Sequence, residues 1–237
     1  ETKLLAQLEI KHTDGTVQTV TSDGSWLWSN DGAIRFADNK DGERVNANMT
    51  PSYSGHAKET KFKVVPSASN NFPIAEKERF KPQLSVTPSG KKLLDFGQNM
   101  AGYVEFEINA REGEKIILEF GELLRGGELT LENIQCKNKH KTTPLQRVEY
   151  ICKEGVNRYK TKFAIFGFQY ISVGTDIDID PENFTAIAVY SDMEETGYFN
   201  SSNELLNKFV EATKWSAKGN STDLPTDCPT RERHGWT

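Results

Sequence analysis

The densest run of reactive side chains lies at residues 227–237, where acidic, basic, thiol and aromatic groups follow one another. Asp227 and Glu232 are five residues apart, on a segment interrupted by Pro225 and Pro229. Because irregular backbone rises by up to ~3.3 Å per residue, two carboxylates at this spacing can flank a bound sugar without touching. A carboxylate pair of this kind can do acid and base chemistry.

The arginines around Glu232 complicate that chemistry. Arg231 and Arg233 bracket the carboxyl group and by themselves favour its ionised form. A general acid needs the opposite, a raised pKa, which would have to come from burial against apolar groups such as Trp236. On residue chemistry alone, a solvated turn of ion pairs is the favoured interpretation of the segment.

Length and composition restrict the class of protein. The chain has 237 residues, of which 36% are hydrophobic and 27% charged, enough for one large domain or two of ordinary size. A net charge of -5 gives no electrostatic reason to expect nucleic acid as a partner. No apolar run approaches the ~18 residues of a membrane span. The chain opens directly on a strand pattern, so we expect both of its ends to be fragment boundaries.

Three cysteines are too few and too scattered for a disulfide framework. Cys136 and His140 have a loose metal-like spacing but lack a second pair of ligands, so no metal site is expected. Residues 95–102 are rich in glycine, yet they lack the Lys-Ser/Thr of a P-loop and the spacing of a dinucleotide fingerprint. No cofactor is therefore expected.

The first 65 residues read as short strands and turns. Apolar side chains alternate with polar ones at Leu4, Ala6, Leu8 and Ile10, which predicts a strand with one buried face. Asp14-Gly15 predicts a tight hairpin turn. Trp26 and Trp28 share one face of a later strand, where they either stack on a sugar or fill a core, and the core is the favoured interpretation.

Prolines between residues 66 and 82 interrupt the strand pattern and predict a connector, which places a domain boundary at residues 72 and 73. Short strands near ten residues apart then continue to residue 192, typical of an antiparallel β-sandwich. Residues 95–102 carry two glycines and an asparagine, which indicates an interrupted strand with unusual backbone.

From residue 201 the apolar period changes to that of a helix. Ser201 and Glu204 fit a capping box, and Leu205, Leu206 and Phe209 recur at helical spacing, which predicts a helix over 202–218 with that face buried. Gly219-Asn220 ends it.

Several of these motifs together resemble one family. Residues 224–229 and 231–237 resemble the signature of the bacterial α-L-rhamnosidases of glycoside hydrolase family 78. Residues 95–103 are similar to a motif of that family's β-domain, and residues 166–170 to one of its strands, with Gln169 where arginine is usual. The chain also has one residue fewer between Arg231 and Glu232 than many members.

The resemblance implies a fold that is mainly β: two antiparallel β-sandwich-type units followed by the first helix of an (α/α)6 barrel. The implied domains are an accessory β-sandwich over 1–72, a concanavalin-like β-sandwich over 73–195 and the truncated start of the catalytic barrel over 196–237. The implied protein is an inverting glycosidase that releases terminal α-L-rhamnose from glycosides or polysaccharides.

Carried over by position, the resemblance makes Glu232 the general acid and Asp227, Arg231 and Trp236 the substrate-binding residues. It puts the general base beyond residue 237, so we expect this chain alone to be inactive. The expected partner is a rhamnose-containing glycoside or polysaccharide, with neither nucleic acid nor membrane. A homodimer is left open, as is the compartment, which is either the bacterial cytoplasm or the periplasm and exterior.

Two other interpretations remain. The chain could be a carbohydrate-binding or structural β-sandwich module without chemistry, in which Trp26 and Trp28 meet the glycan. Alternatively, the period-two aspartates Asp176, Asp178 and Asp180 could bind calcium, although acidic strand residues that face solvent explain them equally well.

Overall fold

A computed structural model describes residues 3–61, 65, 67–69, 72–137 and 139–236. The chain divides into two compact units, the first made of residues 1–32 and 49–69 and the second of residues 33–48 and 70–237. Within the described residues, no helix is both long and apolar enough to cross a membrane.

The elements follow one another along the chain as a series of strands with one α-helix near the end. The first ten strands are β1 (Gln7–Lys11), β2 (Val17–Thr21), β3 (Leu27–Trp28), β4 (Ile34–Asp38), β5 (Gly42–Asn46), β6 (Gly55–His56), β7 (Ile74–Phe80), β8 (Gln83–Val86), β9 (Lys92–Ala110) and β10 (Lys115–Gly121). The others are β11 (Leu123–Arg125), β12 (Glu128–Thr130), β13 (Cys136–Lys137), β14 (Thr142–Thr143), β15 (Arg147–Ile151), β16 (Gly155–Lys160), β17 (Phe166–Gly174), β18 (Phe184–Ser191), β19 (Ser221–Thr222) and β20 (Leu224–Pro225). A 3₁₀ turn, Pro181–Asn183, precedes β18, and the helix α1 spans Glu204–Gly219.

The first unit consists of two small sheets. β1 and β2 form an antiparallel hairpin whose turn contains Gly15 at φ +86°, so the hairpin predicted at Asp14-Gly15 is confirmed. The predicted burial is wrong, because Leu8, Ile10, Trp26 and Trp28 are all exposed. A two-stranded sheet cannot enclose a face by itself, and the described strands of this unit pair only two by two.

The second unit is organised by a ten-stranded sheet. Its strands run in the order β4-β5-β15-β10-β17-β9-β18-β7, with β8 and β16 also paired to β9. All of these pairs are antiparallel except β5 with β15, which confirms a mainly antiparallel β fold. β4 and β5 precede the boundary predicted at residues 72 and 73 and yet join this sheet. Residues 66, 70 and 71 of the predicted connector lie outside the described residues.

The predicted interruption at residues 95–102 is wrong, because β9 runs through it as one strand of 19 residues. The backbone there is nevertheless unusual. Gly97 has φ +73°, and its N–H donates to Asp95 Oδ1 at 2.8 Å. Gly102 lies so close to the next strand that a Cβ would meet the carbonyl oxygen of Ile187 at 2.0 Å. Gly102 therefore allows close strand contact, and Gly97 allows the left-handed backbone within the strand.

Aromatic side chains form the centre of the core. Phe120, Phe166 and Phe168 are fully buried, with the Phe120 and Phe166 rings stacked at 4.1 Å and Phe168 edge-on to Phe120 at 5.0 Å. Offset and edge-to-face pairs of this kind stabilise a core beyond the area they bury. Phe163, three residues before the start of β17, is exposed and takes no part in this cluster.

The helix is present as predicted, but its cap and its buried face differ. Asn203, not Ser201, is the N-cap: its Oδ1 accepts from the N–H groups of Leu205 and Leu206. The face predicted to be buried is exposed, with Leu205 78% and Phe209 67% accessible.

The C-terminal end of α1 makes the contact with the sheet. Trp215 packs edge-on against Phe80 at 5.8 Å, and Lys218 Nζ donates to Glu78 at 2.8 Å. Gly219 lies against Ala101 of β9. Helix α1 is thus docked on the sheet through its last turn, which fixes where the following residues begin.

Candidate functional site

The reactive segment forms a closed loop after the helix. β19 and β20 pair through a turn at Asp223, which has φ +71°. Thr226 and Gly235 then form an antiparallel bridge, and Trp236 N–H donates to the carbonyl of Pro225 at 2.9 Å. Residues 226–236 therefore leave the β19–β20 pair and return to it, and we call them the acid loop.

Asp227 closes the neck of the acid loop. Its N–H donates to the carbonyl of His234 at 3.0 Å, while its Oδ1 accepts from the N–H groups of Cys228 at 2.8 Å and His234 at 3.1 Å. Desolvation alone would raise the pKa of Asp227, but these backbone N–H groups outweigh it and hold the pKa below its ordinary value. The carboxylate is therefore ionised at neutral pH and accepts hydrogen bonds.

Glu232 projects from the turn of the same loop and is 38% exposed. Arg231 Nε donates to Glu232 Oε1, and Cys228 Sγ lies 3.3 Å from Oε2. The hydrogen bond from Arg231 is the main cause that lowers the pKa of Glu232 below its ordinary value. In this arrangement the proposed acid is ionised, as the bracketing arginines predict.

The two carboxylates are closer than an extended spacing predicts. Ligand atoms of Asp227, Cys228 and Glu232 all lie within 4.8 Å of one another. Among the described residues these are the groups that could hold a metal ion, and Asp176, Asp178 and Asp180 form no such group. Each of the three side chains already has a hydrogen bond within the loop, so the cluster is satisfied without an ion.

Arg233 anchors the acid loop to the sheet. It has φ +56°, its Nη2 donates to Gln146 Oε1 at 2.6 Å, and its Nε donates to the carbonyl of Thr230 at 3.0 Å. The guanidinium lies 5.6 Å from the ring centre of Phe166. Desolvation lowers the pKa of Arg233 to about 10, so the side chain remains charged at neutral pH.

A second anchor is steric. Thr230 is buried, and a Cβ built on Gly167 of β17 would meet Thr230 Cγ2 at 2.5 Å and Pro229 Cγ at 3.0 Å. Only glycine leaves room for the loop at this position. Gly167, the glycine of the 166–170 motif, thus provides the surface against which the acid loop packs.

The start of β17 is itself fixed by a buried carboxylate. Glu43 Oε1 accepts from the backbone N–H groups of residues 162–164, and Tyr159 O–H donates to Oε2. Desolvation and the Glu43 carboxylate both raise the pKa of Tyr159, which keeps the phenol protonated as a donor. Residues 162–165, between β16 and β17, form a connection shaped by Glu43.

A cavity of about 180 Å³ lies behind the acid loop. It is lined by Asn39, Ile74, Ala101, Ile165, Thr222, Thr226, Cys228, Pro229 and Arg233. Neither of the predicted carboxylates lines this cavity, and Trp236 is 75% exposed. The predicted substrate-binding groups are therefore not among the residues that line the cavity.

The structure brings the four predicted site residues onto one loop, where Arg231 donates to Glu232 and ligand atoms of Asp227 and Glu232 lie within 4.8 Å of each other. Their roles stay predictions. Sequence reasoning missed the roles of Gln146 and Gly167, which contact the loop, of Thr230, which lies in the loop, and of Glu43, which holds the start of β17. Gly167 had a signal, since it lies in the strand motif 166–170.

Three family models match consecutive parts of this chain. They are the α-L-rhamnosidase N-terminal domain over residues 1–83, the bacterial α-L-rhamnosidase concanavalin-like domain over residues 85–190 and the bacterial α-L-rhamnosidase 6 hairpin glycosidase domain over residues 194–237. The last of these contains α1 and the acid loop.

Known proteins are similar over almost the whole chain. An α-L-rhamnosidase of Alteromonas sp. (strain LOR) is 34% identical, covering 99% of this chain and 27% of that protein. The native α-L-rhamnosidase of Aspergillus terreus superposes with a TM-score of 0.83 at 31% identity, covering 98% of this chain and 28% of that one. The Streptomyces avermitilis α-L-rhamnosidase complexed with L-rhamnose superposes with a TM-score of 0.85 at 26% identity, covering 98% of this chain and 24% of that one.

This chain spans about a quarter of the length of these relatives. The matches nevertheless follow one another in a single order and leave only short gaps between them. With three consecutive domain matches and the corresponding fold, the chain belongs to the bacterial α-L-rhamnosidase family.

Proposed function

We propose that the protein to which this chain belongs is a glycoside hydrolase that releases terminal α-L-rhamnose from glycosides or polysaccharides. The observation that carries the proposal is the acid loop, which gathers two carboxylates, an arginine and an exposed tryptophan inside the match to the glycosidase domain. Relatives that cover nearly the whole chain are named α-L-rhamnosidases.

Each residue of the loop has a role that its chemistry supports. Asp227 is kept ionised by backbone N–H groups and would accept hydrogen bonds from sugar hydroxyls. Arg231 would donate to the sugar, and the exposed face of Trp236 would pack against its C–H groups. Glu232 is the proposed general acid, which gives its proton to the glycosidic oxygen as the bond to the aglycone breaks.

The spacing within the loop argues against Asp227 as the partner base. Inverting glycosidases keep their two carboxyl groups roughly 6.5–9.5 Å apart, which leaves room for the attacking water. Ligand atoms of Asp227 and Glu232 lie within 4.8 Å, which is too short for that arrangement. We therefore keep Asp227 as a substrate-binding group and place the base outside this chain.

The division into domains is part of the same proposal, with an accessory β-sandwich over 1–72, a concanavalin-like sandwich over 73–195 and the start of the barrel over 196–237. The exposed apolar stripe of α1 supports the last of these. Leu205, Leu206 and Phe209 face solvent, and a contiguous exposed apolar surface is typical of an interface. Further helices of the barrel would cover it.

The proposal is tested with the polypeptide encoded by the complete reading frame that contains residues 1–237. We expect it to hydrolyse phenyl α-L-rhamnoside and Glu232→Gln to lower kcat on that substrate by about 10²–10⁴-fold while the protein stays folded. Glu211→Gln, which alters an exposed carboxylate of α1, is the matched control and should keep full activity.

Three outcomes would contradict parts of this proposal. A complete protein with no activity on rhamnosides would reject the function. Unchanged turnover by Glu232→Gln would move the acid to another residue. Hydrolysis by residues 1–237 alone, which we expect to be inactive, would show that the base lies within this chain.

A second candidate is glycan binding without chemistry, and one observation favours it. Trp26 and Trp28 are exposed in the first unit, where their rings are available to stack on sugar faces. A module of this kind would bind a glycan without releasing a reducing sugar, so the same hydrolysis assay separates the two functions.

A further inference from the structure

We propose that Gln146, a residue of the β-sheet unit outside the match to the glycosidase domain, is a positioning residue for Glu232 and acts through Arg233. The inference rests on the proposed function, because it concerns the position of the general acid relative to the bound sugar. It makes the concanavalin-like domain a contributor to proton transfer as well as a support.

Among the described residues, no hydrogen bond or ion pair joins the Glu232 side chain to the sheet. Its partners Arg231, Cys228 and Asp227 all lie on the acid loop and move with it. The position of the carboxyl group relative to a bound sugar therefore depends on how the loop is held. The residue next to Glu232 supplies that hold.

Arg233 is fixed at three points. Its Nη2 meets Gln146 Oε1 at 2.6 Å, its Nε meets the carbonyl of Thr230 at 3.0 Å, and its guanidinium lies over the Phe166 ring. Its backbone is in the left-handed region at φ +56°, which a non-glycine residue adopts only when its surroundings determine it. Because Arg233 follows Glu232 directly, this anchor fixes the backbone from which the carboxyl group projects.

Gln146 can present only an acceptor to Arg233. The residue is fully buried, and its Nε2 donates to the carbonyls of Phe120 at 2.9 Å and Gly167 at 3.3 Å. Its Oε1 also accepts from the N–H of Gly167 at 3.3 Å. With both amide hydrogens used by carbonyls, the orientation of the amide is determined and Oε1 must face the guanidinium.

The geometry matters most for substrates that need the acid. A displacement of about 1 Å can cost on the order of 100-fold in rate when a reacting group must be aligned. A leaving group that departs as a stable anion needs no proton, so a misplaced acid hardly affects it. The dependence of rate on the leaving group therefore reports the position of Glu232, whereas a general loss of folded protein lowers all rates equally.

The test compares Arg233→Lys with the unchanged complete protein on two aryl α-L-rhamnosides, one with a phenol and one with a dinitrophenol as leaving group. Lysine keeps the charge but cannot reach Gln146 and Thr230 together. We expect kcat for the phenyl substrate to fall on the order of 100-fold and kcat for the dinitrophenyl substrate to fall less than about tenfold. The alkaline limb of the pH profile, which reports the pKa of the general acid, should not move, because Arg231 and not Arg233 lowers the pKa of Glu232.

Two further variants separate positioning from stability. Val104→Ala opens the buried core of the same unit without touching the loop and should lower the melting temperature while the ratio of the two rates stays constant. Gln146→Ala should change that ratio as Arg233→Lys does. If Gln146 acts through Arg233, the double variant Gln146→Ala/Arg233→Lys should be no worse than the more impaired single variant.

Failure of the inference and failure of the proposed function give different results. An inactive complete protein, or a Glu232→Gln variant that lowers both rates equally, would reject the assignment of the acid. A selective loss in Glu232→Gln together with an equal loss on both substrates in Arg233→Lys would overturn the positioning role alone. Additive losses in the double variant would also overturn it.

Discussion

Removing the carboxylate of Glu43 should destabilise the second unit more than removing any exposed carboxylate. The side chain is 1% exposed and lies between β5 and the connection before β17. Its Oε1 accepts from the N–H groups of Lys162 at 2.9 Å, Phe163 at 2.5 Å and Ala164 at 3.1 Å, and Tyr159 O–H donates to Oε2. Four donors therefore depend on one carboxylate.

The structure allows the cost of Glu43→Leu to be approximated. Leucine fills much of the same space but accepts nothing, and each buried donor without a partner costs about 1–3 kcal/mol. The four costs do not add, because the connection can relax and admit water. A loss of about 4 kcal/mol is therefore expected, in the range for breaking a buried charged network. Glu43→Gln retains one oxygen for the three N–H groups and should cost only about 1–2 kcal/mol.

Urea unfolding of the 237-residue chain, followed by circular dichroism, measures these differences. With a urea m-value of about 2 kcal/mol/M, Glu43→Leu should lower the midpoint by about 2 M and Glu43→Gln by less than half of that. Glu107→Leu removes an exposed carboxylate paired with Arg158 and serves as the control, with little change expected. Equal midpoints for Glu43→Leu and Glu107→Leu would refute the reasoning.

Two other changes test the contacts that seat the loop and the helix. Gly167→Ala should lower the free energy of unfolding by about 1–3 kcal/mol, because the added methyl group overpacks against Thr230. Adding Thr230→Ser removes the methyl group at 2.5 Å and should restore part of the urea midpoint. An unchanged midpoint in Gly167→Ala would contradict the close contact. Desolvation alone would raise the pKa of Glu78, but the hydrogen bonds from Lys218, the backbone and Tyr190, together with the Lys218 charge, outweigh it and hold the folded pKa below the ordinary 4.5. The stabilisation by Glu78 is therefore present above that value and lost as pH falls below it. Between about pH 5 and pH 3, the melting temperature of Glu78→Gln should fall less than that of the unchanged chain. Parallel curves of melting temperature against pH would contradict this.

Short-range sequence patterns predicted the strands and the helix better than they predicted which neighbours these elements pack against. The hairpin at Asp14-Gly15 and the helix after residue 200 follow from local turn and period signals, and both are present. The cap is misplaced because Ser201 and Asn203 can both cap, and only the path of the backbone decides which side chain meets the free N–H groups. An apolar stripe likewise shows which face of a helix avoids water but not which partner it meets.

The site shows the same division between local and distant information. Asp227, Arg231, Glu232 and Trp236 could be named from sequence because they are neighbours in one motif. Gln146 lies 87 positions from Arg233, and Glu43 lies about 120 positions from the backbone it holds. A buried polar side chain without period or motif gives no signal in a single sequence, since its role exists only after the strands have paired.

The state of Glu232 ties these observations to the proposed chemistry. Arg231 now holds its carboxyl group in the ionised form, whereas a general acid must carry a proton when the substrate is bound. If Arg231 is a substrate contact, as proposed, its move to the sugar would remove the main cause that lowers the pKa of Glu232. A sugar stacked on Trp236 would also exclude water from the carboxyl group and raise its pKa further. The anchor through Arg233 and Gln146 would hold the loop backbone in place while Arg231 moves from Glu232 to the sugar. Substrate binding would then change the protonation of Glu232 without changing the position of its carboxyl group.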